Sequence, residues 1–273
     1  MICTLVLSSH ILANKNYVEG MVLNENGEGL GYVNIGIIST SLGTVSNENG
    51  GFKLFFNETI TSQDTIRFSS IGYAHQDFLI EELRNRNFIT IKMQVRSTTL
   101  GEVVVLPDFK KTKIKGSRKT KTRMNVSYSI GNQPNQNLGA EIGRKFKIRK
   151  TTQLKKLRFY IAKNNFDTVR FRVNVYHLKK RKPSENLLSQ NIIVEVVDSK
   201  TGWIEVDLAP YRILSKKSIV VGVEWIYHSE RGRYLTLPIA LAKKGPHFYK
   251  YGSQNKWKRF ATMSSAMEIE VAY

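Results

Sequence analysis

Short runs of alternating apolar and polar residues dominate the chain and predict strands rather than helices. In Arg170–Tyr176, three apolar residues alternate with polar ones, which is the period of two that places one face of a strand against a core. Trp203–Leu208 shows the same alternation and directs Glu205 and Asp207 outwards. No helix of ordinary length is indicated, and Glu81–Arg86 is suited to a single helical turn. The pattern therefore predicts an all-β protein.

Turn-forming residues divide these strands into two series. Asn24–Gly29 separates two apolar runs, and Asn47–Gly50 ends in an Asn-Gly pair, which favours a β-hairpin because both residues tolerate positive φ. Seven or so short strands up to about residue 105 predict an N-terminal β-sandwich. About ten further strands predict a second, jelly-roll-like β-sandwich over residues 138–273.

Residues 106–137 lie between the two series and are predicted to form a basic linker. The stretch Phe109–Arg123 contains eight Lys and Arg and no acid, and it lacks an apolar face. This composition favours a solvated tether, and the alternative is a segment that contacts a polyanion. The candidate polyanion contacts are Lys110, Lys111, Lys113, Lys115, Arg118, Lys119, Lys121 and Arg123.

The charge is unevenly distributed, which indicates different partners for the two halves. The chain has a net charge of +20; residues 1–105 carry seven basic and ten acidic residues, a net of −3, which leaves +23 on residues 106–273. A basic half attracts anionic glycans, anionic lipid surfaces or nucleic acid. Nucleic-acid binding normally uses stacked aromatic residues or a groove-reading helix, and the basic segment has Phe109 alone and no helical pattern. Nucleic acid is therefore the least favoured of the three.

Residues 1–13 have the pattern of the hydrophobic and cleavage regions of a secretory signal peptide. Ile2–Leu12 is mostly apolar, and Ala13 is a small residue where cleavage could occur. The positively charged beginning is missing, so the prediction is a clipped signal peptide, with a first β-strand as the alternative. No later segment has the ~20 apolar residues that a membrane helix needs.

Catalytic and metal-binding patterns are sparse, so the sequence predicts a protein that is not an enzyme and has no cofactor or metal. The single Cys excludes an intramolecular disulfide and a cysteine-based zinc site. None of the five His is spaced from another as metal ligands are. Glu205 and Asp207 share a strand face, and glycosidases use paired carboxylates, but outward acids on a strand are ordinary. The alternative is a hydrolase in which Glu205, Asp207, Glu224 and His228 converge within residues 138–273.

An aromatic cluster near the end of the chain is the candidate ligand-binding site. Tyr251 and Trp257 stand among Lys250, Lys258 and Arg259. Exposed aromatic rings on a β-sandwich can stack on sugars, although aromatic side chains more often belong to a core. These five residues are the candidate contacts for a carbohydrate or another ligand.

Four ordered motifs in the first third of the chain carry a family resemblance. They are Gly20–Val22 with Gly29–Ile35, then Gly43–Phe52 (GTVSNENGGF), Asp64–Tyr73 (DTIRFSSIGY) and Leu100–Val105 (LGEVVV). Together they make residues of about 17–105 similar to the carboxypeptidase-like regulatory domain family of Bacteroidetes-type cell-envelope proteins.

The resemblance implies a transthyretin-like β-sandwich whose matched residues form turns and core rather than a catalytic site. In the second of these motifs Asn47 stands where the family usually has Asp. The resemblance also implies an exported protein, in the periplasm or associated with the outer membrane. We therefore expect a non-catalytic binding or scaffolding protein of the cell envelope, whose partner is an envelope glycan, an anionic lipid surface or another protein.

Overall fold

The computed structural model of the protein describes residues 15–96, 109–128, 137–241 and 245–273. The predicted signal peptide at residues 1–13 and the LGEVVV motif lie outside the described residues. Within them, the only helical elements are α1 (Ile80–Arg84) and a 3-10 turn (Ala209–Tyr211). The predicted all-β class is confirmed.

An N-terminal unit is built from the first seven strands. They are β1 (Tyr17–Leu23), β2 (Asn34–Ile37), β3 (Gly43–Val45), β4 (Gly51–Phe55), β5 (Thr65–Ser69), β6 (Gln76–Leu79) and β7 (Ile89–Lys92). They form two sheets, with the orders β4-β1-β7 and β3-β2-β5-β6. Alternate residues of β1 and β5, such as Val22 and Phe68, are fully buried, and the two sheets share one apolar core.

The Asn47–Gly50 turn connects the two sheets of this unit and does not close a hairpin. The side-chain Oδ1 of Asn47 accepts hydrogen bonds from the N–H groups of Asn49 and Gly51 at 3.0 and 2.9 Å. Gly50 has a φ of 85°, which a residue with a side chain rarely adopts. However, β3 pairs with β2 and β4 pairs with β1. The predicted hairpin is wrong, because strand pairing in two different sheets overrides the local turn signal.

A second unit contains the remaining strands. They are β8 (Thr112–Gly116), β9 (Met124–Ser127), β10 (Glu141–Phe146), β11 (Thr152–Ile161), β12 (Lys163–Asn164), β13 (Val169–Lys179), β14 (Lys182–Asn186), β15 (Ile192–Val196), β16 (Gly202–Asp207), β17 (Leu214–Ser215), β18 (Ile219–His228), β19 (Leu235–Leu241), β20 (His247–Lys250), β21 (Lys258–Phe260), β22 (Met263–Ser265) and β23 (Met267–Ala272).

Three sheets enclose the core of the second unit. The large sheet has the order β14-β13-β18-β10-β20-β21, with β15 also paired to β13. A five-stranded sheet has the order β16-β11-β23-β8, with β17 on β11, and a third sheet has the order β12-β19-β22, with β9 on β19. Trp225, Phe159 and Phe171 belong to one apolar cluster between these sheets.

Part of the predicted basic linker belongs to the sheets of the second unit. Strand β8 pairs antiparallel with β23, and β9 pairs antiparallel with β19. The interpretation of these segments as a solvated tether is therefore wrong. Their backbone groups are satisfied by neighbouring strands, while a Lys-rich strand is tolerated at a sheet edge because one side stays in water. Residues 106–108 and 129–136 of the predicted linker lie outside the described residues.

Candidate functional site

A cleft of about 620 Å³ lies between the two units, over the outer face of the large sheet. Both units contribute to its walls, which are mainly polar. The residues on which the argument depends are Asn34, Ser70, Arg172, Glu224, Lys250 and Trp257.

The alternation of β13 explains how charged side chains reach this cleft. Phe171, Val173 and Val175 are fully buried in the core of the second unit, as the sequence predicts. The residues between them point the other way. Arg172 and Asn174 on this second face are only 1% and 2% exposed, because the N-terminal unit covers them. The large sheet is thus buried on both faces in this region.

Two ion pairs form a buried charge cluster at the floor of the cleft. Arg172 pairs with Glu224 at 2.9 Å, and the Nζ of Lys250 lies 3.0 Å from Glu141. The Asn174 side-chain amide donates to both carboxylates, at 3.1 Å to Glu141 and 2.9 Å to Glu224. We call these five residues the charge cluster. It holds two acids and two bases, so its formal charges balance.

The N-terminal unit is docked directly on the charge cluster. The side-chain amide of Asn34 donates to Oε1 of Glu224 at 2.8 Å, and Arg172 donates to the backbone carbonyl of Tyr32 at 2.7 Å. Beside them, Arg170 donates to the Tyr32 hydroxyl at 2.7 Å. Tyr32 has a φ of 59°, so its backbone is held in the left-handed region next to this contact.

The two carboxylates of the charge cluster have pKa values shifted in opposite directions. Burial raises the pKa of Glu141, and the positive charge of Lys250 opposes this only in part. Burial also acts to raise the pKa of Glu224, but the charges of Arg172 and Lys250 outweigh it and lower that pKa to about 2. Glu224 is therefore ionised at all physiological pH values.

The hydrogen bonds of these carboxylates leave little capacity for chemistry. Both oxygens of Glu224 accept bonds, from Asn34, Arg172 and Asn174. Both oxygens of Glu141 also accept, one from Asn174 and the other from the Tyr176 hydroxyl at 2.9 Å. Such saturated carboxylates are typical of a structural ion network, since a general acid or base needs a free position towards its substrate.

Polar atoms above the cluster remain without a partner. Within the described residues, Oδ1 of Asn34 and Oγ of Ser70 are buried and accept or donate no hydrogen bond, and both residues line the cleft. Buried polar groups are normally paired, so these two atoms mark a place where a polar ligand would gain hydrogen bonds. Trp257 adds a half-buried aromatic side chain, packed edge-on against Tyr176 with 5.6 Å between ring centroids.

The five predicted ligand contacts are divided between the two faces of the large sheet. Lys250 and Trp257 lie at the cleft, with the Lys250 ammonium 5.4 Å from the Trp257 ring, but Lys250 is committed to the charge cluster. Tyr251 lies in a separate groove of about 280 Å³, and Lys258 sits 4.8 Å from its ring. Arg259 is exposed on β21. Tyr251 directly follows Lys250 at the end of β20, and Trp257 directly precedes Lys258 at the start of β21, so neighbours in sequence point to opposite faces of the sheet.

The eight predicted polyanion contacts also fall into separate places. Arg118 pairs with Glu268 at 2.8 Å and is neutralised. Lys111, Lys113 and Lys115 lie on or beside the edge strand β8. The remaining four are exposed on either side of β8: Lys110, Lys119, Lys121 and Arg123.

The four residues expected to converge in a hydrolase do not meet. Glu205 pairs with Lys156 and Arg158 on the five-stranded sheet, and Asp207 accepts the backbone N–H of Ala209. Glu224 belongs to the charge cluster. His228 packs on the core side, with its ring centroid 5.2 Å from that of Trp225.

Within residues 15–96, 109–128, 137–241 and 245–273, no group of three or more His, Cys, Asp or Glu side chains is arranged to hold a metal ion. In the same part of the chain, no helix is long and apolar enough to cross a membrane.

Comparison with protein families accounts for the N-terminal unit. Residues 18–105 match the CarboxypepD_reg-like domain family. The predicted resemblance of this segment is confirmed. The CarboxypepD_reg-like domain thus supplies one wall of the cleft through Asn34 and Ser70, and the second unit supplies the charge cluster and Trp257.

Solved structures resemble the chain only weakly. The cysteine protease and lectin-like domains of Cwp84, a surface layer associated protein of Clostridium difficile, give a TM-score of 0.43 at 12% identity, over 59% of this chain and 36% of that one. Clostridial cysteine protease Cwp84 after propeptide cleavage gives 0.42 at 12%, over 94% and 71%. The infectious bursal disease virus Gx strain gives 0.28 at 9%, over 94% and 63%. The match spans little more than a third of the first of these structures. Comparison with curated protein sequences gives no match.

Sequence reasoning missed the charge cluster, although one signal for it is present. Glu224 stands inside the apolar run Ile219–Ile226, where the flanking residues are buried on both faces of the strand. A single acid in such a run demands a buried partner of opposite charge. The identity of that partner, Arg172, follows only from strand pairing, because β13 and β18 place the two residues directly opposite each other.

Proposed function

We propose that this protein is an exported, non-catalytic binding and scaffolding protein of the cell envelope, and that it binds a neutral, hydroxyl-rich ligand such as a saccharide in the cleft between its two units. The observation that carries the proposal is the combination of unpartnered polar atoms on Asn34 and Ser70 with the aromatic side chain of Trp257. Aromatic rings stack on the apolar faces of sugars, while hydrogen-bonding groups beside them select the hydroxyls.

The charge balance of the cleft floor supports a neutral ligand. Arg172, Lys250, Glu141 and Glu224 are already paired with one another and are at most 8% exposed. A charged ligand would have to disrupt these pairs, and breaking a buried pair is costly. A sugar needs only hydrogen bonds and ring contacts.

The docking of the two units supports the scaffolding role. Hydrogen bonds from Arg170, Arg172 and Asn34 cross the boundary, and Oγ of Ser253 donates to the backbone of Ile35 at 2.7 Å. A cleft whose walls come from two units needs a fixed geometry between them, because pre-organised sites bind at lower entropic cost.

Binding is tested with the full chain and a panel of neutral cello-, chito- and malto-oligosaccharides, by calorimetric titration. We expect Trp257→Ala to weaken binding at least about tenfold, since stacking and its buried area are lost. Trp203→Ala is the matched control, because Trp203 packs against Tyr160 on the five-stranded sheet, away from the cleft. Equal affinity of the two variants, or no binding by the parent protein, would contradict the proposal.

Export is tested separately by expressing the full open reading frame and fractionating the cells. We expect the protein in the periplasmic or outer-membrane fraction. Recovery only from the cytosol would contradict the localisation and leave the binding test unaffected.

A hydrolase is the second candidate, because Glu141 and Glu224 stand directly opposite each other in the pairing of β10 with β18 and have pKa values moved in opposite directions. It requires a substrate to displace the hydrogen bonds that occupy both carboxylates. This candidate predicts that the same oligosaccharides are cleaved and that Glu141→Gln abolishes cleavage. The binding proposal predicts no product from the parent protein during long incubation.

A further inference from the structure

The two faces of the five-stranded sheet carry charge in different ways. On its outer face, Arg158 pairs with Glu205 at 2.6 Å, with Glu268 at 3.3 Å and with Glu270 at 3.6 Å. Arg118 closes this ladder against Glu268. Acids and bases therefore alternate and compensate each other on this face.

A row of uncompensated lysines lies on the other face, at the β8 edge. Lys113 stands opposite Val271 and Lys115 opposite Ile269 in the pairing with β23. Directly opposite residues share a face, so both lysines lie on the face of these buried core residues. Lys111 exchanges backbone hydrogen bonds with Tyr273 at 3.3 and 2.9 Å, which continues the same register. Successive lysines in the row are about 7 Å apart.

The loop between β10 and β11 adds two further cations to the row. The Lys150 ammonium lies 3.8 Å from the ring centroid of Tyr273, the residue that faces Lys111. Burial lowers the pKa of Lys115, and the positive charges of Lys113, Arg149 and Lys150 lower it further. The cations from the two segments are thus close enough to repel one another.

No acid compensates this group in the part of the chain that the structure describes. The ion pairs found there involve none of Lys111, Lys113, Lys115, Arg149 and Lys150. We call these five residues the basic row. A cluster of like charges without counter-charges raises the local concentration of anions and gains free energy when an anion binds.

We propose that the basic row binds an anionic polysaccharide. A line of cations along one strand fits a linear polymer with repeated carboxylate or phosphate groups. A lipid surface would be favoured by an apolar anchor beside the cations. However, Ile114, the exposed apolar side chain of β8, projects from the opposite face of the strand. The basic row belongs to the five-stranded sheet and the cleft to the large sheet, so the two sites are separate.

The test uses the full chain and polygalacturonate, with neutral dextran as the chemical control, in titrations over a series of NaCl concentrations. Two quadruple variants remove the same charge from two places. The first changes the basic row: Lys113→Gln, Lys115→Gln, Arg149→Gln and Lys150→Gln. The second changes the exposed β13–β14 turn: Lys179→Gln, Lys180→Gln, Arg181→Gln and Lys182→Gln.

We expect the parent protein to bind polygalacturonate and not dextran. The basic-row variant should bind at least about tenfold more weakly. The slope of log Kd against the logarithm of the NaCl concentration should also be lower by roughly 3, since each lost contact removes about one released counterion. The turn variant should retain most of the affinity and slope. Thermal unfolding verifies that both variants fold. If the basic-row variant does not fold, a triple variant that keeps Lys115 takes its place.

Three results would overturn the proposal. The first is an equal loss of affinity in the two quadruple variants, which would mean that binding depends only on the net charge of the protein. The second is no binding of polygalacturonate by the parent protein. The third is that vesicles of equal parts phosphatidylglycerol and phosphatidylcholine, or duplex DNA, bind through the same residues at least as tightly as the polysaccharide.

Discussion

The two units differ in the exposure of the strand faces that point away from their own cores. In the CarboxypepD_reg-like domain, β1 and β5 alternate buried and half-buried residues, and the outer pair of Arg67 and Asp77 is about one-third exposed. In the second unit, β18 is buried at eight consecutive positions, and the outer pair of Arg172 and Glu224 is at most 2% exposed.

This difference identifies the surface where the units are joined. An antiparallel sheet commonly keeps one face in water, and a strand buried on both faces needs a second covering layer. Here the first unit is that layer over the large sheet, and the cleft opens where the cover is incomplete. The following predictions test the contrast, from the largest expected effect to the smallest.

Removing one partner of the buried pair should have the largest effect. Arg172→Ala leaves Glu224 charged and buried, so we expect a loss of about 3–5 kcal/mol in the free energy of unfolding. Urea denaturation measures this. The double variant Arg172→Met with Glu224→Leu removes both charges and should be far less destabilising. A loss below about 1 kcal/mol for Arg172→Ala would show that the cleft floor is hydrated.

A cavity in the first unit tests whether the two units unfold together. Phe68 is fully buried and its ring lies 5.4 Å from that of Phe52, so Phe68→Ala should cost about 3–5 kcal/mol. The three Trp all lie in the second unit, and their fluorescence reports on that unit alone. We expect the unfolding transition followed by Trp fluorescence to shift together with the unfolding transition followed by circular dichroism. A shift in circular dichroism alone would mean that the interface does not couple the units.

A buried histidine should make the second unit sensitive to acid. Burial, and secondly the charge of Arg144, lower the pKa of His247 from 6.5 to about 4. Between about pH 4 and pH 6.5, His247 therefore binds a proton in the unfolded chain and not in the folded chain. The contribution of His247 to the free energy of unfolding is fully present above about pH 6.5. It falls by about 3 kcal/mol as the pH falls towards 4. Thermal unfolding over this range measures the slope, which His247→Gln should flatten.

The turn between the two sheets of the first unit gives a smaller, local effect. Gly50→Ala forces a side chain to adopt a φ of 85° and brings its Cβ against the carbonyl of Val22. Gly27→Ala has nearly the same φ, 83°, with open space around the Cβ. We expect Gly27→Ala to cost about 1–2 kcal/mol and Gly50→Ala measurably more. Equal losses of stability for the two variants in chemical denaturation would mean that the turn around Gly50 relaxes to accommodate the added Cβ.

Breaking the exposed pair of the first unit should have the smallest effect. Arg67→Ala removes the contact with Asp77, at 2.6 Å, and we expect a loss of at most about 1 kcal/mol. The loss should shrink further at high salt, because exposed charges are screened. A loss comparable to that of Arg172→Ala would erase the contrast between the two surfaces.

The strands were predictable because each carries its own periodicity. Ile204, Val206 and Leu208 are buried and Glu205 is exposed, as the alternation of β16 indicates. The family motifs of residues 18–105 are also local, since they consist of turn residues and core positions a few residues apart. Such signals need no knowledge of what a strand pairs with.

Properties that depend on a partner distant in sequence were not predictable in this way. The basic stretch Phe109–Arg123 has the composition of a linker, and β23, about 150 residues further on, makes part of it a strand. The Asn47–Gly50 turn has the residues of a hairpin, yet its flanking strands pair with β1 and β2.

By itself, then, the sequence determined the all-β class, the strand faces and the family of the first unit, because these depend on the period of two and on turns. Only the tertiary structure decided that Arg172, Asn174, Glu141 and Glu224 are buried together, because the covering layer and the pairing strand come from remote parts of the chain. The same reason brings Arg149 and Lys150 of the β10–β11 loop to the β8 edge, beside Lys115 and Tyr273. The free energy of each contact depends on its surroundings in three dimensions, and neighbours in sequence do not specify those surroundings.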